Sequence, residues 1–232
     1  MNLKHYYIKK GCGQPFILLH GNNEDSSYFK SQIEEFSKEY EVIALDTRGH
    51  GKTERGEAPF TIRQFAYDLK SFMDRKGIKK AHILGFSDGA NIAMCFAVKY
   101  PEMVEKLILY SGNLNSNGVH PLIQIPIEIG HKLKSFLHRY MPFNRLKKFM
   151  KHRSEILGLM INQPNITLEE LNRIKAITLV IAGTFDMIKQ NHTELIHKHI
   201  ENSQLILIKG DHFISKKKPK EFNAAVKKFM KG

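Results

Sequence analysis

Short unbroken apolar runs alternate along this chain with longer stretches of helical period. Pro15-Phe-Ile-Leu-Leu and Glu41-Val-Ile-Ala-Leu are the clearest runs, of the kind seen in strands buried on both faces of a parallel sheet. Tyr6 to Lys9 predicts an earlier strand, ended by Gly11 and Gly13, and His82 to Leu84, Val104 to Tyr110, Ile177 to Ala182 and Gln204 to Ile208 predict later ones. Between them, Ser26 to Tyr40 carries an apolar stripe at Phe29, Ile33 and Phe36. Thr61 is placed to cap a helix running to Gly77, with Phe65, Leu69 and Phe72 inward. Ile92 to Tyr100 is helical in period and stops near Pro101; His192 to Ile200 and Pro219 to Met230 close the series. This alternation predicts an α/β fold, a doubly wound, mostly parallel sheet with right-handed crossovers. In such sheets chemistry collects at the carboxyl ends of the strands.

One segment breaks the rhythm. Asn113 to Glu170 is rich in long apolar side chains, namely Ile123, Ile125, Ile127, Phe136, Leu137, Tyr140, Phe143, Phe149, Leu157 and Met160, and is punctuated by Pro142 and Pro164. Its middle has helical spacing, and the sheet's core is complete without it. The chain therefore divides into a core of residues 1–112 and 171–232 and a helical insertion of residues 113–170.

At 232 residues the chain suits one sizeable α/β domain plus that insertion, and a hydrophobic content of 42% fits an ordered globule. The first residues, MNLKHYYIKK, lack the apolar centre of a signal peptide, and no apolar run approaches a membrane span. The expectation is a cytoplasmic protein. Cys12 and Cys95 are the two cysteines, too few for a disulfide framework or a C-x-x-C zinc site. The formal net charge of +13 is concentrated between Lys132 and Lys151 and between Lys209 and Lys231. Aromatic residues are not interleaved with those runs as a base-stacking platform requires, so they read as solvated helix faces, with neither nucleic acid nor membrane as a partner. Oligomeric state is not legible.

Candidate chemistry centres on Gly85-Phe86-Ser87-Asp88-Gly89. A strand before Ser87 and a helix after it make G-x-S-x-G a sharp turn, with glycine on either side because side chains there would collide. The turn lifts the serine hydroxyl clear of the sheet and aims the first helical amides at whatever it attacks. Gly51-Lys52-Thr53 ends like a phosphate-binding loop, but Asp46 stands where that motif needs glycine. His192, His197 and His199 do not form H-E-x-x-H, so no metal is expected. Arg48 and Asp46 read as turn-stabilising residues.

Five signals in order carry a family resemblance. They are His20-Gly21-Asn22 after one strand, Asp46-x-Arg48-Gly49-x-Gly51 after the next, G-F-S-D-G after the next, Gly183-Thr-Phe-Asp186 later, and Gly210-Asp-His212 after the last. Over essentially its whole length the chain resembles the α/β-hydrolase superfamily. The short N-terminus departs from that pattern and implies that the family's first antiparallel strand is missing. Ile177, where many relatives carry proline, is a second departure.

The resemblance implies a triad in the chain order Ser87, Asp186, His212. Serine is a poor nucleophile at neutral pH, so His212 is the candidate base and Asp186 its orienter, with Asp211 as the rival carboxylate. The oxyanion donors implied are the main-chain N–H groups of Asn22 and Asp88, each worth roughly 3 kcal/mol. Gly21 allows close approach of that loop, His20 holds it, the Asn22 side chain is a further donor candidate, and Asn23 is a weaker candidate for substrate contact. The Asp88 carboxylate suits the positive end of a helix, and would also suit a substrate ammonium. The insertion is implied to be a cap whose apolar faces form the substrate pocket. The expected activity is cofactor-free hydrolysis of a small-molecule carboxylic ester through an acyl-enzyme on Ser87. The alternatives are a carbon–carbon bond hydrolase or acyltransferase with the same triad, and a non-catalytic ligand-binding protein on the same scaffold. Serine at the elbow, where dehalogenases and epoxide hydrolases carry aspartate, speaks against those two activities.

Overall fold

The structure is a computed structural model that describes residues 3–140 and 144–232. Pro142 and Phe143, and the side chains of Leu137 and Tyr140, lie outside the described residues. The described residues form one seven-stranded sheet. Its strands are β1 (Tyr7–Lys10), β2 (Pro15–Leu19), β3 (Glu41–Leu45), β4 (Ala81–Phe86), β5 (Val104–Tyr110), β6 (Ile177–Gly183) and β7 (Ser203–Ile208). They lie in the order β1-β3-β2-β4-β5-β6-β7. Only the edge strand β1 runs antiparallel, against β3 with Tyr7 opposite Leu45; the other pairs are parallel.

The helices are α1 (Lys30–Phe36), α2 (Ile62–Arg75), α3 (Asp88–Lys99), α4 (Pro121–Tyr140), α5 (Asn144–Asn162), α6 (Leu168–Leu171), α7 (Gln190–His199), α8 (Ile214–Lys217) and α9 (Pro219–Lys231). Alternation along each strand divides them between two faces. Ile17, Leu19, Ile43 and Ile83 pack with Phe65, Leu69 and Phe72 of α2 and Ile92 and Phe96 of α3. Their neighbours Phe16, Leu18, Val42 and Leu84 pack on the opposite face with Ile33 and Phe36 of α1 and Phe222, Val226 and Phe229 of α9. Each such side chain contributes roughly 1.5–3 kcal/mol on burial, so both helix layers are held by the runs that announced the strands.

Boundaries follow local hydrogen bonding. The Thr61 hydroxyl caps α2 by accepting from Gln64 N–H at 3.1 Å. The helix expected over Ser26 to Tyr40 is shorter: it opens as a 3-10 turn at Ser26–Phe29, and the α-helix covers Lys30–Phe36. Asp25 Oδ1 takes the Ser27 N–H at 2.8 Å and Asp46 Oδ1 takes the Ser26 N–H at 2.7 Å, which holds the first turn off the α-helical path. Between β5 and β6, which pair directly in the sheet, the chain makes an excursion through α4 and α5, two long helices packed on each other, with α6 after them.

Candidate active site

Ser87 stands between the end of β4 and the start of α3 with φ 54° and ψ −118°. A non-glycine residue held in the left-handed half of the map is strained and persists only where its surroundings over-determine it. Those surroundings are visible: Ser87 N–H donates to the Tyr110 carbonyl at 2.8 Å, and the Ser87 carbonyl accepts from Ala90 N–H at 2.9 Å and Asn91 N–H at 3.1 Å. A Cβ on Gly85 would fall against the main chain of Gly89 and Ala90, and one on Gly89 against the carbonyls of Leu19 and His20. Both flanking glycines are thus required by backbone approach, Gly89 to β2 as well as to Gly85.

Asp186 and His212, 26 residues apart, meet at the carboxyl ends of β6 and β7, with Asp186 Oδ1 2.6 Å from His212 Nδ1. The other carboxylate oxygen accepts from the Ser111 hydroxyl at 2.5 Å, and Oδ1 also accepts from Ile188 N–H at 2.9 Å. Burial pushes the Asp186 carboxyl up, but the hydrogen bond and charge of His212, with the Ile188 amide and Ser111, outweigh it and hold the group below its ordinary value. His212 is buried and its ring lies 4.8 Å from that of Phe86, the residue before Ser87, so the imidazole lies beside the elbow. Its Nε2 and the Ser87 hydroxyl make no hydrogen bond among the described residues. The Tyr110 hydroxyl donates to the His212 carbonyl and anchors the loop. Asp211, the rival carboxylate, is turned outward to Lys217 and to Phe213 N–H.

The loop after β2 approaches the elbow closely, with Gly21 against the ring of Phe86 and the Cβ of Ser87. The main-chain N–H groups of Asn22 and Asp88 make no hydrogen bond among the described residues, as the first amide of a helix must when no side chain caps it. The Asn22 side chain, considered above as a further donor, is committed elsewhere. Its Nδ2 donates to Asp88 Oδ2 at 2.9 Å and to the Ile156 carbonyl of α5 at 2.9 Å. Asp88 Oδ1 accepts from Asn91 Nδ2 at 3.3 Å, and Asn91 in turn donates to Asn113 Oδ1 at 3.0 Å. Burial raises the Asp88 carboxyl, and the bonds from Asn22 and Asn91 offset part of that rise. An incoming ammonium would have to compete with these two amides. Asn23, the other residue considered for substrate contact, points away: it is exposed and accepts from Arg153 Nη1 at 2.6 Å.

A cavity of about 10 Å³ adjoins Ser87, lined by Asp88, Asn113, Val119, Met160, Gln163, Met187 and Ile188. This is room for about one water. Of the apolar insertion residues expected to form a pocket, Met160 lines the cavity, whereas Ile123, Ile125, Phe136 and Phe149 are exposed to solvent. The physical reason is that α5 turns its C-terminal end toward Ser87 while α4 packs on α5, so much of the apolar surface of α4 faces outward.

The remaining sequence candidates serve the frame. Thr47 N–H donates to His20 Nε2 at 3.0 Å, which puts the proton on Nδ1, 2.8 Å from the Gly21 carbonyl; burial holds this imidazole below its usual value. Asp46 accepts from the amides of Ser26 and Lys52, and Arg48 makes a buried bidentate pair with Asp68, both bonds at 2.7 Å. His197 and His199 bond to Ser203 and the Leu195 carbonyl, and no group of three or more potential metal ligands occurs among the described residues. Ser111, Asn91, Asn113 and Tyr110 were not singled out by sequence. Ser111 and Asn113 follow β5, whose carboxyl end lies beside that of β4.

Comparison with known proteins agrees with this frame. Serine hydrolase BPHL of Homo sapiens is 28% identical over 243 residues, covering 97% of this chain and 82% of that protein. Epoxide hydrolase 4 of Mus musculus is 31% identical over 151 residues, 63% of this chain; the chain spans about 40% of the length of that relative and of its human counterpart. Among solved structures, the enol-lactonase from Burkholderia xenovorans LB400 superposes with a TM-score of 0.82 at 20% identity, covering 99% of this chain and 97% of that one, a likeness of fold. The family model for the alpha/beta hydrolase fold matches residues 14–149. With the elbow, the parallel sheet and these relatives together, the chain belongs to the alpha/beta hydrolase family.

Proposed function

We propose that the protein is a serine hydrolase of small carboxylic esters. Ser87 Oγ attacks the ester carbonyl and gives its proton to His212 Nε2. The oxyanion is held by the N–H groups of Asn22 and Asp88, and the leaving alcohol departs with the proton from His212. Water, deprotonated by the same imidazole, then releases the acid and regenerates Ser87. Asp186 keeps Nδ1 of His212 protonated, which leaves Nε2 as the basic nitrogen facing the elbow. The observation that carries this reading is the 2.6 Å contact between His212 Nδ1 and Asp186 Oδ1 beside a serine held at φ 54°. A serine–imidazole hydrogen bond commonly tightens only with substrate bound. Residues 113–170 act as the cap, and a cavity with room for about one water requires α5 to shift before an acyl group can enter. Serine at position 87, instead of aspartate, favours ester hydrolysis over the epoxide chemistry named for one relative.

A fluorophosphonate probe should label the wild-type chain, and peptide mapping should place the label on Ser87. Ser87→Ala and His212→Ala should each lower turnover of p-nitrophenyl acetate on the order of a million-fold. Labelling at another residue, or turnover that survives Ser87→Ala, overturns the reading.

A further inference from the structure

Helix α4 presents to solvent a row of apolar side chains whose spacing is that of one helix face. Leu122, Ile125, Ile129 and Leu133 follow at intervals of three, four and four residues, and Phe136 continues the row. Leu122 is 87%, Ile129 62% and Leu133 57% exposed. The opposite face of the helix packs on α5, where the His131 ring bonds to the Ser154 carbonyl and the Ser135 hydroxyl to that of Ser154. The row therefore points away from both α5 and the candidate active site, and the substrate pocket does not account for it. Single exposed apolar residues are ordinary, but a continuous row along more than three helical turns marks an interaction surface.

The charge around the row identifies the partner. Residues 121–151 hold seven Lys and Arg against one Glu. Lys132 and Arg139 flank the row on α4, and Phe136, Arg139 and Lys147 border one surface depression, which brings the cations of α5 to the end of the row. The ion pairs of this hairpin among the described residues involve Glu155, with Arg55 and His152; Lys132, Lys134, Arg139, Lys147, Lys148 and Lys151 enter none. An apolar stripe bordered by unpaired cations, on a helix lying along the surface, is the pattern of a segment that rests in the headgroup region of an anionic bilayer. No helix among the described residues is long and apolar enough to cross a membrane, so the mode is surface attachment. We propose that the outer face of α4 docks on an anionic lipid surface, with the apolar row entering the acyl boundary and the lysines of α5 meeting lipid headgroups.

The chain has no tryptophan, so Leu133→Trp provides a single reporter on the row. The full chain is floated with vesicles of phosphatidylcholine alone and with a portion of phosphatidylglycerol, and the emission of Leu133→Trp is recorded with each. The expected result is co-flotation with the anionic vesicles and a blue shift of the tryptophan. Ile125→Asn/Ile129→Asn should abolish co-flotation. Lys147→Gln/Lys148→Gln should weaken partitioning more than tenfold, about fivefold for each charge removed. All these side chains are at the surface, and circular dichroism together with unchanged hydrolysis of p-nitrophenyl acetate checks that each variant folds. Three results overturn the proposal: no flotation with either vesicle, flotation with an unshifted tryptophan, which is adsorption through the general positive charge, or a dimer in light scattering that Ile125→Asn/Ile129→Asn dissolves while vesicles do not bind.

Discussion

The Ser111 hydroxyl donates to Asp186 Oδ2 at 2.5 Å, while Oδ1 of the same carboxylate meets His212 Nδ1 at 2.6 Å. Each oxygen thus has its own donor, and the carboxylate plane is fixed relative to the imidazole. Ser111 itself sits at φ 53°, a strained conformation at the point where the chain leaves β5. We read it as a positioning residue. Ser111→Ala should lower kcat about tenfold to a hundredfold, the worth of a hydrogen bond to a charged group. It should also move the acid limb of the kcat/KM profile to higher pH, because a carboxylate with one donor fewer holds the proton of the pair more tightly. A variant that merely loosened the fold would leave that limb in place.

Asn22 bridges the Asp88 carboxylate and the Ile156 carbonyl, tying the loop after β2 to α5. Asn22→Ala leaves a buried carboxylate with one donor fewer, which costs about 1–3 kcal/mol. Thermal denaturation should show a lowered Tm. Burial already raises Asp88, so losing a donor shifts it further up, and the variant should lose more stability at pH 8 than at pH 5. Equal losses at both values would remove Asp88 from the explanation.

Met160 closes the cavity beside Ser87 from the side of α5. Met160→Ala should move the preference among p-nitrophenyl esters from acetate toward butyrate or hexanoate, seen as a lower KM for the longer chain. An unchanged chain-length profile would mean that acyl groups leave the site by another side.

Three buried imidazoles predict acid sensitivity. Burial brings His5 and His82 down to about 4 and His50 to about 3 from the ordinary 6.5. The unfolded chain binds protons at these groups near pH 6.5 and the folded chain does not. Stability is therefore full above about pH 6.5 and is lost as pH falls from there toward 4, by about 1.4 kcal/mol per pH unit for each group. His82 lies edge-on to Phe16 and Tyr40, and its Nδ1 has no partner. Urea denaturation at pH 7 and pH 5 should show a smaller difference for His82→Phe than for the wild type.

The buried pair Arg48–Asp68 holds the turn after β3 to α2. Asp68→Ala strands the guanidinium in the interior and should cost about 3–5 kcal/mol; a change below 1 kcal/mol in denaturant titration would show that water reaches Arg48.

How far each feature was legible from residues alone follows from the range of the forces that set it. Strand and helix identity arise from neighbours a few positions apart, so the runs at Phe16–Leu19 and Val42–Leu45 announced buried parallel strands, and Thr61 announced the start of α2. The elbow was partly local: the crowding that demands Gly85 comes from Gly89 and Ala90 in the same turn, whereas Gly89 is crowded by Leu19 and His20 at the end of β2. Asp186 and His212 were picked out by the family resemblance of the segments that follow β6 and β7, and the structure brings the two together because strand ends in a parallel sheet meet at one rim whatever the intervening length.

Other features needed the folded chain. The turn at Ser26–Phe29 that leads into α1 yielded to Asp46, which stands just past the end of β3. Asn22 was free in the sequence to point at substrate; its commitment to Asp88 and Ile156 joins positions 66 and 134 residues away. Ser111 and Tyr110 acquire their partners through contacts 75 and 102 residues distant. The apolar positions of α4 had the period of a helix in the sequence, yet period cannot say which side of a helix is covered. That was settled by how α4 packs on α5, since burial is a property of the surface left after all the elements meet.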